Sequence, residues 1–339
     1  MISIVVAVYN GERFLSECLE SLRQQTLHDL QFILVDDGST DSSGRICDEY
    51  ADCDQRFLAF HTENRGLCRA REYGIGIAAG NGAEYIGFAD CDDWLEPDMY
   101  QVLLSSARKA GADVTECGYF REYRDRTETW IPGINHADTH EALYDLLKGG
   151  PHDFVWNKLW KTELLAGFRI PIDGAYADDI SFTWRIYTRA HSFTGTAQPL
   201  YHYRQVSESI AHVHNMNLVN KWRVVLDRYQ CLESEVKPFL SDIQWEQVRE
   251  NQLRYCAFTA AKNWLWWLEN PKDEREGHRE VLTDMSRFVR SNVPPAGKKN
   301  WEGFLRVCAF LIRYPNRISL TIARTINRIR LTGKKPALY

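Results

Sequence analysis

The sequence lacks several features that would place it in other protein classes. Its nine cysteines form no Cys-x-x-Cys pair and no zinc-ligand spacing, and an odd, scattered set is typical of reduced thiols in a cytoplasmic protein. No uninterrupted apolar run approaches the ~20 residues of a membrane span. The N-terminal residues also lack the basic stretch that opens a signal peptide. We therefore expect a cytoplasmic chain that is soluble or bound at a membrane surface.

An excess of basic residues is absent too, because 41 Lys and Arg face 46 Asp and Glu. The net charge of −5 gives no electrostatic reason to expect nucleic-acid binding. With 339 residues, of which 44% are apolar, the chain is long enough for one compound domain or two with a full core. Composition thus indicates an ordinary globular protein and leaves its oligomeric state open.

One stretch places three carboxylates directly after an apolar run. Residues 85–89 are typical of a buried strand, and Asp90, Asp92 and Asp93 follow at its end. Acidic side chains this close repel one another unless a cation or several hydrogen-bond donors offset their charge. Two interpretations stay open at this point: a solvated acidic turn that caps the next helix, or an Asp-x-Asp metal site for a diphosphate.

Strand and helix patterns alternate four times in the first 110 residues. Strands are predicted at the apolar runs 2–8, 31–35, 57–60 and 85–90. The alternation predicts an α/β fold with a doubly wound, mostly parallel sheet flanked by helices. Polar residues follow the end of each strand: Tyr9, Asp36 and Asp37, Asn64 to Gly66, and Asp90 to Asp93. Because ligands bind beyond the carboxyl ends of such strands, we predict a binding site at this edge.

These motifs together resemble those of family 2 glycosyltransferases of the GT-A fold, in particular the members that build bacterial polysaccharides. The resemblance is carried by Ala7-Val8-Tyr9-Asn10, Val35-Asp36-Asp37-Gly38-Ser39-Thr40-Asp41, Asn64-x-Gly66, Ala70-Arg71 with Gly74, and Asp90-x-Asp92-Asp93. It covers roughly the first 110 residues. One departure is visible, because the family usually has Asn after the arginine and this chain has Glu72. The contact at that position is therefore left open.

The resemblance implies an inverting transferase that uses a nucleotide-sugar, most commonly a UDP-sugar, together with Mn²⁺ or Mg²⁺. It implies that Tyr9 lies against the base, that Asp37 accepts from a base N–H and that Asp90 lies near the ribose. The implied nucleotide-sugar site comprises Ala7, Tyr9, Asp36, Asp37, Asn64, Gly66, Arg71, Asp90, Cys91 and Asp92. From the residues alone, Tyr9 is alternatively a core aromatic and Asp37 a helix cap.

The metal is assigned by the same resemblance to Asp92, with Asp93 as a second ligand. Mg²⁺ and Mn²⁺ typically take one or two carboxylates and complete their coordination with phosphate oxygens and water.

An acidic pair, Asp178 and Asp179, opens a predicted helix in the second half of the chain. It resembles the family's Glu-Asp motif, with Asp178 in place of Glu and Asp179 at the position of the catalytic base. An inverting transfer needs one carboxylate to take the proton of the attacking acceptor hydroxyl. Two acids at a helix N-terminus also interact well with the helix dipole, so capping remains the alternative.

Two further segments are assigned to the acceptor side or to closure of the donor site. The resemblance places Trp156, Asn157 and Lys158 at the acceptor side, although tryptophans four residues apart are equally typical of a short core helix. It also implies that a short strand ending at Arg204 closes the donor site, with Arg204 near a phosphate. His202 on this strand is alternatively a neutral polar group on a strand face.

We predict three parts along the chain. A catalytic domain occupies residues 1–214, with the nucleotide-sugar half at 1–110 and the acceptor half at 111–214. An all-helical region follows at 215–293, and a linker and basic tail at 294–339.

The tail from residue 301 has eight basic residues and one acidic residue, so it carries +7 and the preceding residues about −12. Its isoleucines lie at near-helical spacing. Such a helix is typical of an anchor on an anionic membrane surface, and packing on the acidic body of the chain is the alternative.

The leading hypothesis from the sequence is a metal-dependent, inverting glycosyltransferase in bacterial surface polysaccharide synthesis. Its expected partners are a nucleotide-sugar donor and a glycan acceptor, either free or lipid-linked, and its expected place is the inner face of the cell membrane. The alternatives are sugar transfer to a lipid phosphate and a non-catalytic subunit that binds nucleotide-sugars or glycans. The presence of Asp37, Asp92 and Asp179 favours an enzyme.

Overall fold

The computed structural model describes residues 1–131, 138–148, 154–169, 179–206, 218–269 and 276–293, and residue 321. The chain divides into two compact units, the first comprising Met1–Val206 and the second beginning at Ser207. The predicted boundary after residue 214 lies outside the described residues, as does nearly all of the predicted linker and tail.

The first unit contains nine strands and seven helices in its described residues. The strands are β1 (Ile2–Val8), β2 (Leu30–Asp36), β3 (Phe57–His61), β4 (Tyr85–Asp90), β5 (Trp94–Leu95), β6 (Val114–Glu122), β7 (Thr127–Trp130), β8 (Lys158–Lys161) and β9 (Phe193–Arg204). The helices are α1 (Leu15–Arg23), α2 (Ser43–Cys53), α3 (Leu67–Gly80), α4 (Met99–Ala110), α5 (Thr139–Leu147), α6 (Thr162–Leu165) and α7 (Asp179–Tyr187). The four strands predicted in the first 110 residues are all present.

All nine strands join one sheet, in the order β3-β2-β1-β4-β8-β6-β9-β5, with β7 paired to β6 outside this path. Strands β3, β2, β1 and β4 are parallel neighbours. Strand β8 is antiparallel to both β4 and β6, so β6 has the direction of β4, and β9 is parallel to β6. Strands β5 and β7 are antiparallel to their partners. The sheet is therefore mixed, but most of its strands run the same way.

The amphipathic helices complete the core of this unit. In α1, Leu15, Cys18, Leu19 and Leu22 are buried, which is one face of a 3.6-residue period. This face joins one apolar cluster with β1, β2, β4 and α4. Full burial of each leucine contributes about 1.5–3 kcal/mol. Packing against the sheet therefore stabilises α1 more than the helix propensity of its residues does.

The segment Trp156 to Lys158 lies in the core, which corrects its assignment to the acceptor side. The Trp156 ring stacks on Tyr201, with ring centroids 4.2 Å apart, and on Phe154 at 4.5 Å. The Asn157 amide nitrogen donates to Cys117 O at 2.9 Å. All three residues are essentially inaccessible to solvent, so no acceptor can contact them in this conformation.

Lys158 is a buried cation whose partners are all polar groups of the same core. Its Nζ donates to Phe154 O at 2.6 Å, to Asn157 Oδ1 at 3.0 Å and to Glu116 Oε1 at 3.3 Å. The Asn157 amide donates to the same Glu116 oxygen. Because the two buried charges lie close together, removing one takes the nearby opposite charge away from the other.

We expect Lys158→Met to lower the free energy of unfolding by about 3–5 kcal/mol, the usual loss when a buried charge loses its partner. Adding Glu116→Gln should restore part of this loss, because glutamine keeps an acceptor for Asn157 without the charge. Urea unfolding of the three proteins measures both values. A double variant no more stable than the single one would contradict this account of the cluster.

The second unit is helical in its described residues, as predicted. It contains α8 (Leu218–Glu235), a short 3₁₀ turn (Lys237–Phe239), α9 (Asp242–Glu269) and α10 (Glu276–Asn292). The three α-helices share a core that includes Trp222, Cys256 and Met285. Among the described residues, no helix combines the length and hydrophobicity that crossing a membrane requires.

Candidate active site

The register of the parallel strands brings four chain segments to one edge of the sheet. Ala7 of β1 is opposite Val35 of β2 on one side and Asp90 of β4 on the other. Asp36 is opposite His61 at the end of β3. The residues that follow these strands therefore meet at the carboxyl edge, as the sequence predicts. Tyr9 is 51% exposed there, so its ring is not a core aromatic.

The loops after β1 and β2 are tied to each other. Asn10, whose φ is 49°, accepts from Thr40 N at 2.8 Å, and its own N–H donates to Ser39 Oγ at 3.0 Å. Behind them, Gly11 faces Cys91: a Cβ on this glycine would lie 2.9 Å from Cys91 Sγ. Cys91, predicted in the donor site, is thus a half-buried wall residue under the first loop.

Asp37 joins the loop after β2 to the loop that precedes α3. Its Oδ1 accepts from Arg65 N at 2.9 Å and its Oδ2 from Gly66 N at 2.7 Å. Gly66 has a φ of 90°, a conformation that strongly favours glycine. Gly38 approaches the same loop, and a Cβ there would lie 2.8 Å from Asn64 N. This part of the carboxyl edge is therefore a pair of interlocked loops with Asn64 exposed on it.

Asp36 is buried beneath these loops, which corrects its predicted contact with the nucleotide. Its Oδ1 accepts from Ser39 N at 3.0 Å, and its Oδ2 lies 2.9 Å from His61 Nδ1. The other ring nitrogen of His61 lies 3.0 Å from Asp48 Oδ1. Hydrogen bonds to Asp36 and then to Asp48 raise the pKa of His61, because both carboxylates favour the imidazolium form.

This arrangement predicts a pH-dependent stability. A raised pKa in the folded state means that His61 stabilises the fold fully below its unfolded pKa of about 6.5 and loses this effect as the pH rises through the folded value. We expect His61→Gln to lower the melting temperature most near pH 5.5 and progressively less above neutrality. Melting curves of both proteins across this range check it, and a difference that does not change with pH would contradict it.

Asp93 is fully buried and both of its oxygens already have donors. Tyr201 Oη donates to Oδ2 at 2.8 Å, and Arg204 N donates to Oδ1 at 2.8 Å. The same Tyr201 oxygen accepts from Asp90 N at 3.1 Å. Burial first, then the charges of Asp92 and Asp90, raise the pKa of Asp93. These contacts hold β9 against the acidic turn and argue against Asp93 as a metal ligand.

Asp92 has the properties that a cation site requires. In the part of the chain that the structure describes, only its own backbone N–H donates to its carboxylate. Burial and the charge of Asp90 raise its pKa to about 6, although the charge of Arg204 acts in the opposite direction, so the negative potential of the turn is only partly offset. No three His, Cys, Asp or Glu side chains converge on a metal site among the described residues. The donor set therefore fits a cation that takes its other ligands from a diphosphate and water.

Arg204 is a buried support of this turn, which corrects its predicted contact with a phosphate. Its Nε donates to the main-chain oxygen of Asp92 at 2.8 Å, and its Nη2 pairs with Glu17 Oε2 at 2.5 Å. The guanidinium lies between two rings, 4.3 Å from the centroid of Trp94 and 4.4 Å from that of Phe14. Arg204 thus fixes the backbone on which Asp92 is presented.

Both ring nitrogens and both ring faces of His202 have protein partners, so none of them is available to a ligand in this conformation. Its Nδ1 lies 2.8 Å from Glu122 Oε1 and its Nε2 lies 3.0 Å from Glu96 Oε1. The ring stacks between Trp94 and Phe120, with centroid distances of 4.7 and 4.6 Å. His202 links β9 to β5 and β6 and thereby supports the turn between β4 and β5.

Asp179, at the first position of α7, lies within one ion-pair chain with the turn after β4. Arg71 Nη1 donates to Asp179 Oδ1 at 2.7 Å, and Arg71 Nη2 donates to Asp90 Oδ1 at 2.8 Å. Both carboxylates are partly exposed, Asp90 by 28% and Asp179 by 22%. Asp178 lies outside the described residues. The predicted base and the predicted ribose-side carboxylate are therefore neighbours.

The electrostatics of this chain are dominated by burial and by the shared guanidinium. Burial by itself lowers the pKa of Arg71, but the charges of Asp179 and Asp90 outweigh it and raise the pKa well above its usual value. Burial raises the pKa of Asp90, an effect that Arg71 reduces and Asp179 increases. Arg71 thus remains a cation and is the counterion of both acids.

Sequence reasoning missed two residues of this site, Tyr201 and Glu17. Tyr201 joins the turn residues Asp90 and Asp93, and Glu17 pairs with Arg204. Glu17 lies on the exposed face of α1, whose sequence pattern is that of an ordinary amphipathic helix. Nothing in the local sequence therefore indicates that Glu17 supports the site. Tyr201 alternates with Tyr203 along β9, and that pattern alone indicates a buried face and nothing more.

The fold is that of the GT-A glycosyltransferases. The structure of S. aureus TarS residues 1–349 in complex with UDP-GlcNAc aligns with 97% of this chain and 92% of its own, with a TM-score of 0.67 and 17% identity. At that identity the likeness establishes the fold alone, and it confirms the architecture expected from the sequence.

The chain belongs to glycosyltransferase family 2. Residues 3–165 match the family model described as glycosyl transferase family 2. Glycosyltransferase GlyG of Streptococcus pneumoniae is 32% identical over 222 residues, which are 62% of this chain and 72% of GlyG. EpsH of Bacillus subtilis is 37% identical over 225 residues. The chain spans 64% of the length of EpsH, slightly less than two thirds.

Proposed function

We propose that this chain is a metal-dependent, inverting glycosyltransferase that moves a sugar from a nucleoside-diphosphate donor to a glycan. The observation that carries the proposal is the pair of carboxylates at the carboxyl edge of the sheet. Asp92 is half-buried and lacks a donor from another described residue, and Asp179 lies beside the same turn through Arg71. Family membership supplies the reaction class, and this geometry supplies the residues.

The proposed reaction divides the work between the two acids. Asp179 takes the proton of the acceptor hydroxyl while that oxygen attacks C1 of the sugar from the face opposite the diphosphate. The bond between C1 and the diphosphate oxygen breaks, and the nucleotide leaves with the electron pair, so the configuration at C1 inverts. A Mn²⁺ or Mg²⁺ ion held by Asp92 would offset the charge that develops on the leaving diphosphate.

The donor side of the proposal rests on the interlocked loops. The exposed ring of Tyr9 offers a face for a base, and the exposed Asn64 lies on the loop that Asp37 fixes. We choose UDP as the nucleotide, because it is the commonest donor nucleotide in the family and because TarS, which shares the fold, binds UDP-GlcNAc. Both oxygens of Asp37 are occupied by backbone donors here, so a base N–H would share one of them.

On the acceptor side we propose a glycan of a bacterial surface polysaccharide, carried on a lipid. The buried positions of Trp156, Asn157 and Lys158 remove the acceptor contacts expected from the sequence, so this part rests on family membership and on the basic tail. A non-catalytic binding subunit is the alternative from another class. Donor turnover distinguishes the two, because only the enzyme releases nucleotide.

The experiment that tests the function is nucleotide release by purified full-length protein. A panel of UDP-, GDP- and dTDP-sugars is offered with Mn²⁺, and the release of the nucleoside diphosphate is followed with and without EDTA. We expect slow, metal-dependent hydrolysis of one donor class, with water replacing the acceptor. Thermal shift in the same mixtures identifies the donor, because binding to the folded state raises the melting temperature. Binding without release by any donor would support the non-catalytic alternative.

We also propose that the tail from Trp301 attaches the protein to the inner face of the membrane. Each basic residue near an anionic surface is worth roughly 1 kcal/mol, an attraction that salt weakens, and a buried isoleucine stripe adds a part that salt does not weaken. Full-length protein should sediment with anionic vesicles, and high salt should release only part of it. A chain ending at Gly297 should remain in the supernatant. If neither protein sediments, the tail packs on the acidic body instead.

A further inference from the structure

Arg71 is hydrogen-bonded both to the predicted base and to the turn that would hold the metal. It lies on α3 and is almost completely buried, with its guanidinium carbon 5.9 Å from the centroid of the Phe88 ring. One terminal nitrogen bonds Asp179 and the other bonds Asp90. A planar guanidinium with a fixed fork of donors sets the direction of both partners at once.

The two carboxylates are held in the same way, by one oxygen each. Arg71 bonds Oδ1 of Asp179 and Oδ1 of Asp90, and no other described side chain donates to either carboxylate. Within the described residues, each Oδ2 is therefore without a side-chain donor and is suited to a ligand. On Asp179 that oxygen suits the proton of an acceptor hydroxyl, and on Asp90 it suits a donor hydroxyl.

We propose that Arg71 is a positioning residue for the general base: it orients Asp179 through Oδ1, keeps Oδ2 directed at the acceptor and ties the base to the donor side through Asp90. The inference rests on the proposed function and changes the role that the sequence resemblance gave to Arg71, which was contact with the donor. A guanidinium that is buried and bonded to two carboxylates acts on the reaction through them.

A second reason for this role is that one side chain holds both acids. Arg71→Gln would remove both hydrogen bonds at once and leave Asp179 without the one described side chain that donates to its carboxylate. Loss of Arg71 should therefore affect the chemical step more than the binding of nucleotide.

The test is a double-mutant cycle on donor turnover by the full chain. Arg71→Gln should lower kcat about 10²-fold, at the lower end of the range for loss of a positioned base, and should change KM for the donor only a few-fold. Arg71→Lys, which keeps the charge, should recover part of kcat. In an Asp179→Asn background, Arg71→Gln should cost less than about threefold, because residues that act as a unit have non-additive effects.

A matched control is Arg23→Gln, which removes a partly exposed arginine that pairs with Glu20 and should leave kcat and KM unchanged. Melting temperatures of all variants identify any that fail to fold, in which case Arg71→Lys carries the comparison. Losses that multiply in the double variant would overturn the inference, because they would show that Arg71 acts independently of Asp179. A loss confined to KM would also overturn it and would restore the donor contact. Absence of turnover by the wild type would instead overturn the proposed function, and the inference with it.

Discussion

Replacing Asp179 with asparagine is expected to lower donor turnover by about 10²–10⁴, the usual cost of losing a positioned base, with little change in nucleotide affinity. Asparagine keeps the shape of the side chain and an oxygen for Arg71, but its amide does not accept the proton of the acceptor hydroxyl. Among the described residues, Asp179 is hydrogen-bonded to the turn after β4 through Arg71, which the variant keeps, so we expect UDP binding with Mn²⁺ to be retained. Steady-state kinetics and calorimetry of the same protein sample measure the two quantities.

The matched control for Asp179 is its neighbour. Asp178→Asn removes a carboxylate from the same segment, so comparing the two variants shows which acid carries the proton. A turnover number of Asp179→Asn within a few-fold of the wild type, with a large loss in Asp178→Asn, would assign the base to Asp178. Full activity in both variants would remove this acidic pair from the chemistry altogether.

Replacing Asp92 with alanine should abolish the dependence of UDP binding on metal while leaving the fold intact. The carboxylate takes no hydrogen bond from another described residue. Its removal relieves the repulsion by Asp90, and it also removes a weaker attraction to Arg204. We therefore expect an unchanged or slightly higher melting temperature together with loss of the Mn²⁺ effect on affinity. Calorimetric titration of UDP with Mn²⁺ or EDTA measures the effect in each protein.

Two other aspartates make this result specific. Asp98→Ala removes an exposed carboxylate at the start of α4 and should leave the Mn²⁺ effect unchanged. Asp93→Ala removes two hydrogen bonds and leaves Tyr201 Oη and Arg204 N without their acceptor, so its main effect should be a lower melting temperature. UDP affinity in the Asp92 variant that still responds to Mn²⁺ as in the wild type would contradict the assignment of the metal to Asp92.

The fold of residues 1–110 was predictable because each strand and the polar residues after it lie within one short stretch of sequence. Each of β1 to β4 is a short apolar run that ends in polar residues, and parallel strands bring such ends to one edge. The exposed Tyr9 and the half-buried Asp92 lie there as expected. Their motifs fall within short stretches whose order along the chain is the order of the strands.

The second half was harder because its contacts join distant residues. Strand β8 inserts antiparallel between β4 and β6, and nothing in four residues indicates which strand edges they fill. The family resemblance assigns Lys158 to the acceptor side, but Lys158 lies in the core and pairs with Glu116 on another strand. The same resemblance assigns Arg204 and His202 to the segment that closes the donor site. Their partners Glu17 and Glu122 are distant in sequence, and no local sequence pattern indicates that these residues pair.

The most direct test of the account is the position of the metal in crystals grown with UDP and Mn²⁺. Anomalous diffraction at the manganese edge locates the ion without reference to any assumed chemistry. We predict one strong peak within coordination distance of a carboxylate oxygen of Asp92, beside the diphosphate, with the base against Tyr9. A peak elsewhere on the chain, or UDP bound at the carboxyl edge with no manganese beside Asp92, would contradict it.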